Sequence, residues 1–471
     1  MDKARCEIGL IGLGAMGANL ALNLAEKGRA LAVFNRSPEK TRQFLAQAPA
    51  GLDLSPAFSP AELAALLAPP RTLLLMVPAG AAVDAVLAEF APLLEPGDLV
   101  IDGGNSHFKD SQRRHDELAA RGLAFIGLGV SGGEEGARHG PSLMAGGEAA
   151  AWRRIAPWLE ASAAQVEGEP CAALLGPAPA GHYVKMVHNG IEYALMQLIA
   201  EAHDLMTRGL GLAWEPQAQA FTAWADGPAG GFLVEISARV LAARDELTGQ
   251  PLLEVVSDRA GQKGTGVWTS QEALALGAPT TLIDQAVAAR LLSRRAALRR
   301  ELAPILGGPR PAVLPAEPWL PRLESALVLG SLLAYAQGFD LLRAASAAYG
   351  WDLDLARVAA IWRGGCIIRA RLLAPIRAAL VADPGLEHLL LSPEPAAIAR
   401  QRRADLAAVS EALAGLGLPG PVCTAALAYL DSLRATILPT RLLQAQRDLF
   451  GNHGFERVDR PGDFHAAWQR D

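Results

Sequence analysis

The sequence predicts a doubly wound α/β domain over residues 1–178, a large all-helical domain over 179–440 and a C-terminal tail over 441–471. Three observations carry this reading. Short apolar runs alternate with helical stretches only in the first part of the chain. A GxGxxG turn joins the first run to the first helix. Beyond Pro177 the strand signals nearly stop, and Ala/Leu/Arg stretches take over, broken by Pro-rich segments near 308–321 and 392–395.

Composition sets the outer bounds. The chain has 471 residues, 51% hydrophobic and 20% charged, which excludes a disordered or fibrous protein. No uninterrupted apolar run approaches the roughly 18 residues of a membrane span, and no secretory signal opens the chain, so a cytoplasmic protein without membrane contact is expected. Cys6, Cys171, Cys366 and Cys423 lack CxxC spacing, which fits a reducing compartment and gives no metal site. The net charge of −6 disfavours nucleic acid as a partner. Only six of the 43 basic residues are lysines: Lys3, Lys27, Lys40, Lys109, Lys185 and Lys263. Arg cannot lose its proton near neutral pH and a buried Lys can, so each remaining lysine is worth following.

The first apolar run, Ile8–Ile11, leads into Gly12-Leu13-Gly14-Ala15-Met16-Gly17 and an apolar helix. In that context the glycines read as a Rossmann-like dinucleotide fingerprint, which lets a pyrophosphate approach the helix N-terminus. A Gly-rich turn without a ligand is the plainer alternative. The second strand, Ala30–Phe34, ends in Asn35-Arg36-Ser37. A carboxylate at this point would bind the ribose of NAD and repel a 2′-phosphate. A guanidinium beside a hydroxyl binds the phosphate, so NADP is the expected cofactor. Further strands over Thr72–Val77 and Leu99–Ile101 end in the small-residue loops Pro78-Ala79-Gly80 and Asp102–Ser106, with helices near 80–93 and 108–120. The segment Ser131–Gly147 has six glycines in 17 residues and reads as a long loop built for close backbone approach to a ligand.

In the helical part, Lys185, His188, Asn189 and Glu192 fall at i, i+3, i+4 and i+7, on one helix face. Val184, Val187, Ile191 and Leu195 form a neighbouring apolar stripe. The polar face continues into Met196 and Ile199, so burial is expected there too. A Lys near a Glu in a cleft is a candidate acid/base pair, because burial lowers a Lys pKa and raises that of a Glu. Gly261–Thr269 carries Lys263 and suggests an anion loop, though it fails the P-loop pattern. Arg447 and His453 lie in a Gly-bearing tail.

Together these segments, with Ile361–Arg369 and Gln444–Gly462, resemble the decarboxylating 6-phosphogluconate dehydrogenases along essentially the whole chain. The resemblance implies a homodimer whose tail reaches the partner's active site, and NADP-linked, metal-independent oxidative decarboxylation of 6-phosphogluconate. It implies that Lys185 is the general base at the C3 hydroxyl and that Glu192 is the acid protonating C1 of the enediol. Asn105, Ser131, Gly132, Gly133, His188, Asn189 and Tyr193 would hold the sugar acid. Lys263, Thr265 and Arg290 would hold its 6-phosphate, with Arg447 and His453 from the other subunit. Gly12 to Gly17, Asn35, Arg36, Ser37, Val77, Pro78, Ala79 and Asn105 would face NADP. Several positions depart from the family pattern. Pro78 and Val267 stand where Lys is common, and Ser37, Gly14, Ala145 and the tail residues Asn452, Gly454 and Phe455 also differ. Two other readings compete: a β-hydroxyacid dehydrogenase, which is generally shorter and lacks the tail, and a decayed NADP-binding paralogue.

Overall fold

The computed structural model describes residues 6–309 and 314–468. Lys3 and part of the Pro-rich break near 308–321 lie outside the described residues. Six strands are parallel: β1 (Ile8–Ile11), β2 (Leu31–Phe34), β3 (Leu54–Ala57), β4 (Thr72–Leu75), β5 (Leu99–Asp102) and β6 (Ala124–Ser131), of which β1, β2, β4 and β5 are the expected apolar runs. β7 (Ser142–Gly147) runs antiparallel to β6. A small hairpin, β8 (Gln165–Val166) and β9 (Glu169–Pro170), precedes β10 (Ala172–Gly176), which pairs with β7. The main sheet has the order β10-β7-β6-β5-β4-β1-β2-β3. Strands β1, β2, β4 and β5 are buried at every residue, as a parallel sheet covered on both faces requires. The covering helices are α1 (Ala15–Glu26), α2 (Pro38–Gln47), α3 (Pro60–Leu66), α4 (Ala81–Phe90), α5 (Phe108–Ala119), α6 (Gly133–His139) and α7 (Ala149–Ser162).

Sequence reading missed β3, whose Leu54-Ser55-Pro56-Ala57 includes a proline. It is the edge strand, where Pro removes no bond from an inner ladder. The expected loop over 131–147 is instead the end of β6, the short helix α6 and β7. Its glycines let backbone pack on backbone. A Cβ on Gly147 would lie 2.8 Å from the Phe125 carbonyl, and Gly132, at φ +128°, abuts the Gly365 carbonyl.

The 27-residue α8 (Ala178–Asp204) leaves the sheet and becomes the axis of the helical part. Its first eleven residues are all buried. It presses onto β6 where the strand has no side chain: a Cβ on Gly129 would sit 2.5 Å from Lys185 Cβ. Around it pack α9 (Trp214–Asp226), α10 (Phe232–Ala242), α11 (Leu252–Val255), α12 (Thr265–Leu276), α13 (Thr281–Ser293), α14 (Ala296–Leu306) and α15 (Ala316–Tyr349). They are followed by α16 (Leu355–Trp362), α17 (Leu373–Ala382), α18 (Pro393–Leu416) and α19 (Pro421–Arg434). α15 is long and apolar enough to cross a membrane, but its apolar stretch is buried against α8 and α18. Buried Glu201 accepts the backbone N–H groups of Val422 and Cys423, which caps α19. The chain ends in α20 (Thr440–Gly451) and the hairpin β11 (Phe455–Glu456) and β12 (Asp463–Phe464).

Candidate active site

The candidate site has two parts, a groove at the carboxyl ends of the strands and a side-chain cluster on α8. The first is a groove of about 450 Å³, lined by Gly12, Gly14, Asn35, Arg36, Ser37, Val77 and Pro78 among others. Gly12 has φ +101°, and a Cβ there would lie 2.5 Å from the Met76 carbonyl, so only glycine fits the turn. A Cβ on Gly14 would meet nothing within 4 Å, which leaves the backbone open to a ligand. Gly17 packs α1 against the turn. Leu13 is buried and Ala15 and Met16 open α1. The Leu13 N–H donates to Asn35 Oδ1 at 3.1 Å, so Asn35 holds the turn itself. Arg36 is exposed and has no ion-pair partner among the described residues, while Ser37 Oγ donates to Glu39. A free guanidinium, an open glycine turn and a nearby hydroxyl suit the phosphates of NADP. Lys40 and Glu89 also line the groove, and neither was assigned a role from sequence. Pro78 and Ala79 are exposed at its rim.

A buried network supports the loops of this groove. Arg114, fully buried, donates to Asp102 (3.2 Å), Asp84 (2.8 Å), Ser106 Oγ (3.1 Å) and the Gly80 carbonyl (3.0 Å). Asp102 accepts the Gly104 N–H and the Ser106 hydroxyl. Sequence reading singled out the loops but not Arg114, which lies on a helix with no local signal. Asn105, at the tip, is exposed.

The second part is a cluster of side chains carried by α8. Lys185 is 6% exposed, and burial holds its ammonium below the usual lysine range. Burial raises the Glu192 carboxyl above its usual range, although its side chain keeps 21% of its exposure. His188 lies between them. Its Nε2 is 3.1 Å from Ser131 Oγ, and its Nδ1 is 3.0 Å from Asn189 Oδ1 and 3.8 Å from Glu192. Burial and the neighbouring Lys185 charge push the His188 pKa well down, so the ring is neutral. Asn189 Nδ2 donates to Thr265 Oγ1 at 3.0 Å. Arg290 stacks over the Tyr193 ring at 3.7 Å and donates to the Gly261 carbonyl. Gly266 faces the same ring, so α12 approaches α8 closely. Cys366, from the Ile361–Arg369 stretch, is buried near Lys185, and burial pushes its thiol up to about 12.

The fold thus brings together Lys185, His188, Asn189, Glu192, Tyr193, Ser131, Thr265 and Arg290. Gly132 and Gly133 open α6 beside Ser131. Lys263 is exposed on the approach to α12. Arg447 and His453 make no hydrogen bond or ion pair with this cluster among the described residues. Arg447 bonds Gln444, and His453 packs on Phe450. The expected burial beyond Glu192 fails at Met196, which is 40% exposed and accepts a contact from Arg290. Among the described residues no group of three or more His, Cys, Asp or Glu could hold a metal ion.

A dinucleotide groove, with a buried Lys185 and a half-sheltered Glu192 on α8, defines a nucleotide-linked dehydrogenase. Comparison with known proteins narrows that class. Residues 7–176 match the NAD binding domain of 6-phosphogluconate dehydrogenase, and residues 181–468 match the 6-phosphogluconate dehydrogenase C-terminal domain. The NADP(+)-dependent, decarboxylating 6-phosphogluconate dehydrogenase of Bacillus subtilis is 46% identical over 98% of this chain and 99% of its own. The decarboxylating enzyme of Escherichia coli K12 is 47% identical over the same shares. A Plasmodium falciparum 6-phosphogluconate dehydrogenase, solved alone, with NADP+ and with 6-phosphogluconate, superposes with a TM-score of 0.94 at 38% identity, covering 98% of this chain and 100% of that one. The chain belongs to the 6-phosphogluconate dehydrogenase family.

Proposed function

We propose that the protein oxidatively decarboxylates 6-phospho-D-gluconate to D-ribulose 5-phosphate and CO2 with NADP, the oxidative step of the pentose phosphate pathway. The observation that carries this reading is the face of α8, where a buried Lys185 and a half-sheltered Glu192 flank a neutral His188. NADP, when bound, supplies the hydride acceptor that oxidises C3. Lys185 takes the C3 hydroxyl proton, and burial, by lowering its pKa, favours the neutral amine that does so. Its ammonium then lies beside the C3 carbonyl oxygen and stabilises the enolate charge that develops as CO2 leaves. A β-keto acid loses CO2 readily once that carbonyl is polarised, so the proposal needs no metal. Glu192, whose pKa burial raises in favour of the protonated form, delivers a proton to C1 of the enediol.

Asn105, Ser131, Gly132, Gly133, His188, Asn189 and Tyr193 hold the sugar acid in this reading. Lys263, Thr265 and Arg290 take the 6-phosphate. Gly12 to Gly17, Asn35, Arg36, Ser37, Val77, Pro78, Ala79 and Asn105 hold NADP. The remaining phosphate ligands, Arg447 and His453, come from the tail of a second subunit in a homodimer. Support for the dimer comes from α20, whose Leu442, Leu443, Leu449 and Phe450 are all more than half exposed. We divide the chain at 178/179 and 440/441 on the same grounds. Buried free thiols at Cys171, Cys366 and Cys423 support a reducing, cytoplasmic setting. Purified protein should reduce NADP with 6-phosphogluconate at neutral to mildly alkaline pH and do so less well with NAD. Absence of turnover with either cofactor would overturn the reading.

A further inference from the structure

Three consecutive residues of the sheet domain reach the helical domain, two of them to the same helix, α12. Lys109, at the start of α5, places Nζ 2.8 Å from Glu272 Oε1 on α12. Tyr349, at the end of α15, donates its hydroxyl to Glu272 Oε2 at 2.7 Å. His107 packs edge-on against Trp268, one turn earlier on α12, with centroids 4.8 Å apart. Phe108 joins the aromatic cluster of Tyr183, Tyr349 and Trp351. The asymmetry is informative. Glu272 is only 3% exposed, whereas the Lys109 side chain is 64% exposed. A buried carboxylate needs a partner, and Lys109 is the one cation within ion-pair distance among the described residues.

We propose that Lys109 and Glu272, braced by Tyr349, form a latch that sets the width of the cleft between the two domains. Both ends sit on segments that carry binding residues. Lys109 follows Asn105 by four residues. Glu272 lies two helical turns beyond Thr265 on the same face of α12, and Thr265 already bonds Asn189. A ligand gripped from both walls therefore depends on the latch. The dinucleotide groove depends on it far less, because its lining comes from residues 11–89 of one wall and, of the residues assigned to NADP, only Asn105 lies on the latch segment. Lys109 and Glu272 are positioning residues, and they touch neither ligand.

This inference rests on assigning the cleft to 6-phosphogluconate, so its test has one arm with turnover and one without. In Lys109→Met, KM for 6-phosphogluconate should rise about tenfold, the scale of losing one charge-assisted bond. The dissociation constant for NADP should stay within about twofold. Lys109→Arg should restore the wild-type KM, and Lys109→Met/Glu272→Gln should be no worse than the weaker single variant. Without any ligand, amide exchange over 105–110 and 262–272 should quicken in Lys109→Met and not in Lys109→Arg. Unchanged exchange in Lys109→Met, or equal weakening of NADP and 6-phosphogluconate, would overturn the latch. A wild-type protein inert toward 6-phosphogluconate would overturn the functional assignment instead, and the exchange arm would still decide the latch.

Discussion

At Lys185, burial weakens the hold on the proton by making the charged form costly, and this outweighs the attraction of Glu192. A lysine whose folded pKa is depressed lowers stability in full below that folded pKa, and the penalty fades as pH rises from there and is gone above the unfolded value of about 10.4. Activity runs the other way from the acid side. Raising pH frees Lys185, and lowering pH protonates Glu192, so kcat/KM should be bell-shaped, with its acid limb well below the ordinary lysine range. Lys185→Arg keeps the positive charge but cannot give up a proton. It should fold normally, bind NADP and lose at least about a thousandfold in kcat, on the scale of a lost general base. A variant with near-normal turnover would remove Lys185 from the chemistry. Arg36 presents the complementary case, an exposed guanidinium without an ion-pair partner among the described residues. Arg36→Ala should raise KM for NADP about tenfold or more and leave KM for NAD nearly unchanged, since only the 2′-phosphate loses a charged bond. Equal losses would contradict the assignment. Lys185 and Arg36 were legible because their neighbours in sequence are also their neighbours in space. Lys40, Lys109 and Arg114 were not, because their partners Glu272, Asp102 and the groove walls arrive from distant segments.

Between elements, the decisive contact is α8 lying on β6. Gly129 makes it possible, and Gly129→Ala should force strand and helix apart, lowering stability by about 1–3 kcal/mol. Because the added methyl would press on the Cβ of Lys185 itself, kcat should fall as well. Thermal melting together with turnover checks both effects. Loss of activity without loss of stability would mean that the helix yields at no cost. On the far end of α8, Glu201 closes α19, and Glu201→Ala should cost about 1–3 kcal/mol through two unsatisfied backbone donors. The alternation of strands and helices was legible as far as α5, and α8 itself from its four-residue polar face. The Gly-rich 131–147 segment was misread because glycine signals freedom in sequence, while here it signals close packing in β6, α6 and β7. Pro56 hid β3 for a related reason, since only the sheet order reveals that the strand is an edge.

For the whole molecule, the sheet domain supplies one wall, the helical domain the other, and the tail remains. α20 and its hairpin are held together by Asp448, which accepts from the Gly454 and Ala466 N–H groups, His465 and Trp468. The surrounding hydrogen bonds hold the Asp448 carboxyl down to about 2, so the tail keeps this hub across the working pH range. If Arg447 and His453 serve a partner's site, removing residues 441–471 should raise KM for 6-phosphogluconate at least about tenfold while leaving NADP binding intact, and sedimentation should show a weaker dimer. A truncated protein with unchanged KM would return those two residues to the solvent. The central claim, that Lys185 drives an oxidation coupled to decarboxylation, is tested most directly by measuring NADPH and CO2 together, with a chelator present, for the wild-type protein and Lys185→Arg. The wild type should release one CO2 for each NADPH formed and the variant almost neither. NADPH without CO2, or equal output from both proteins, would contradict the account.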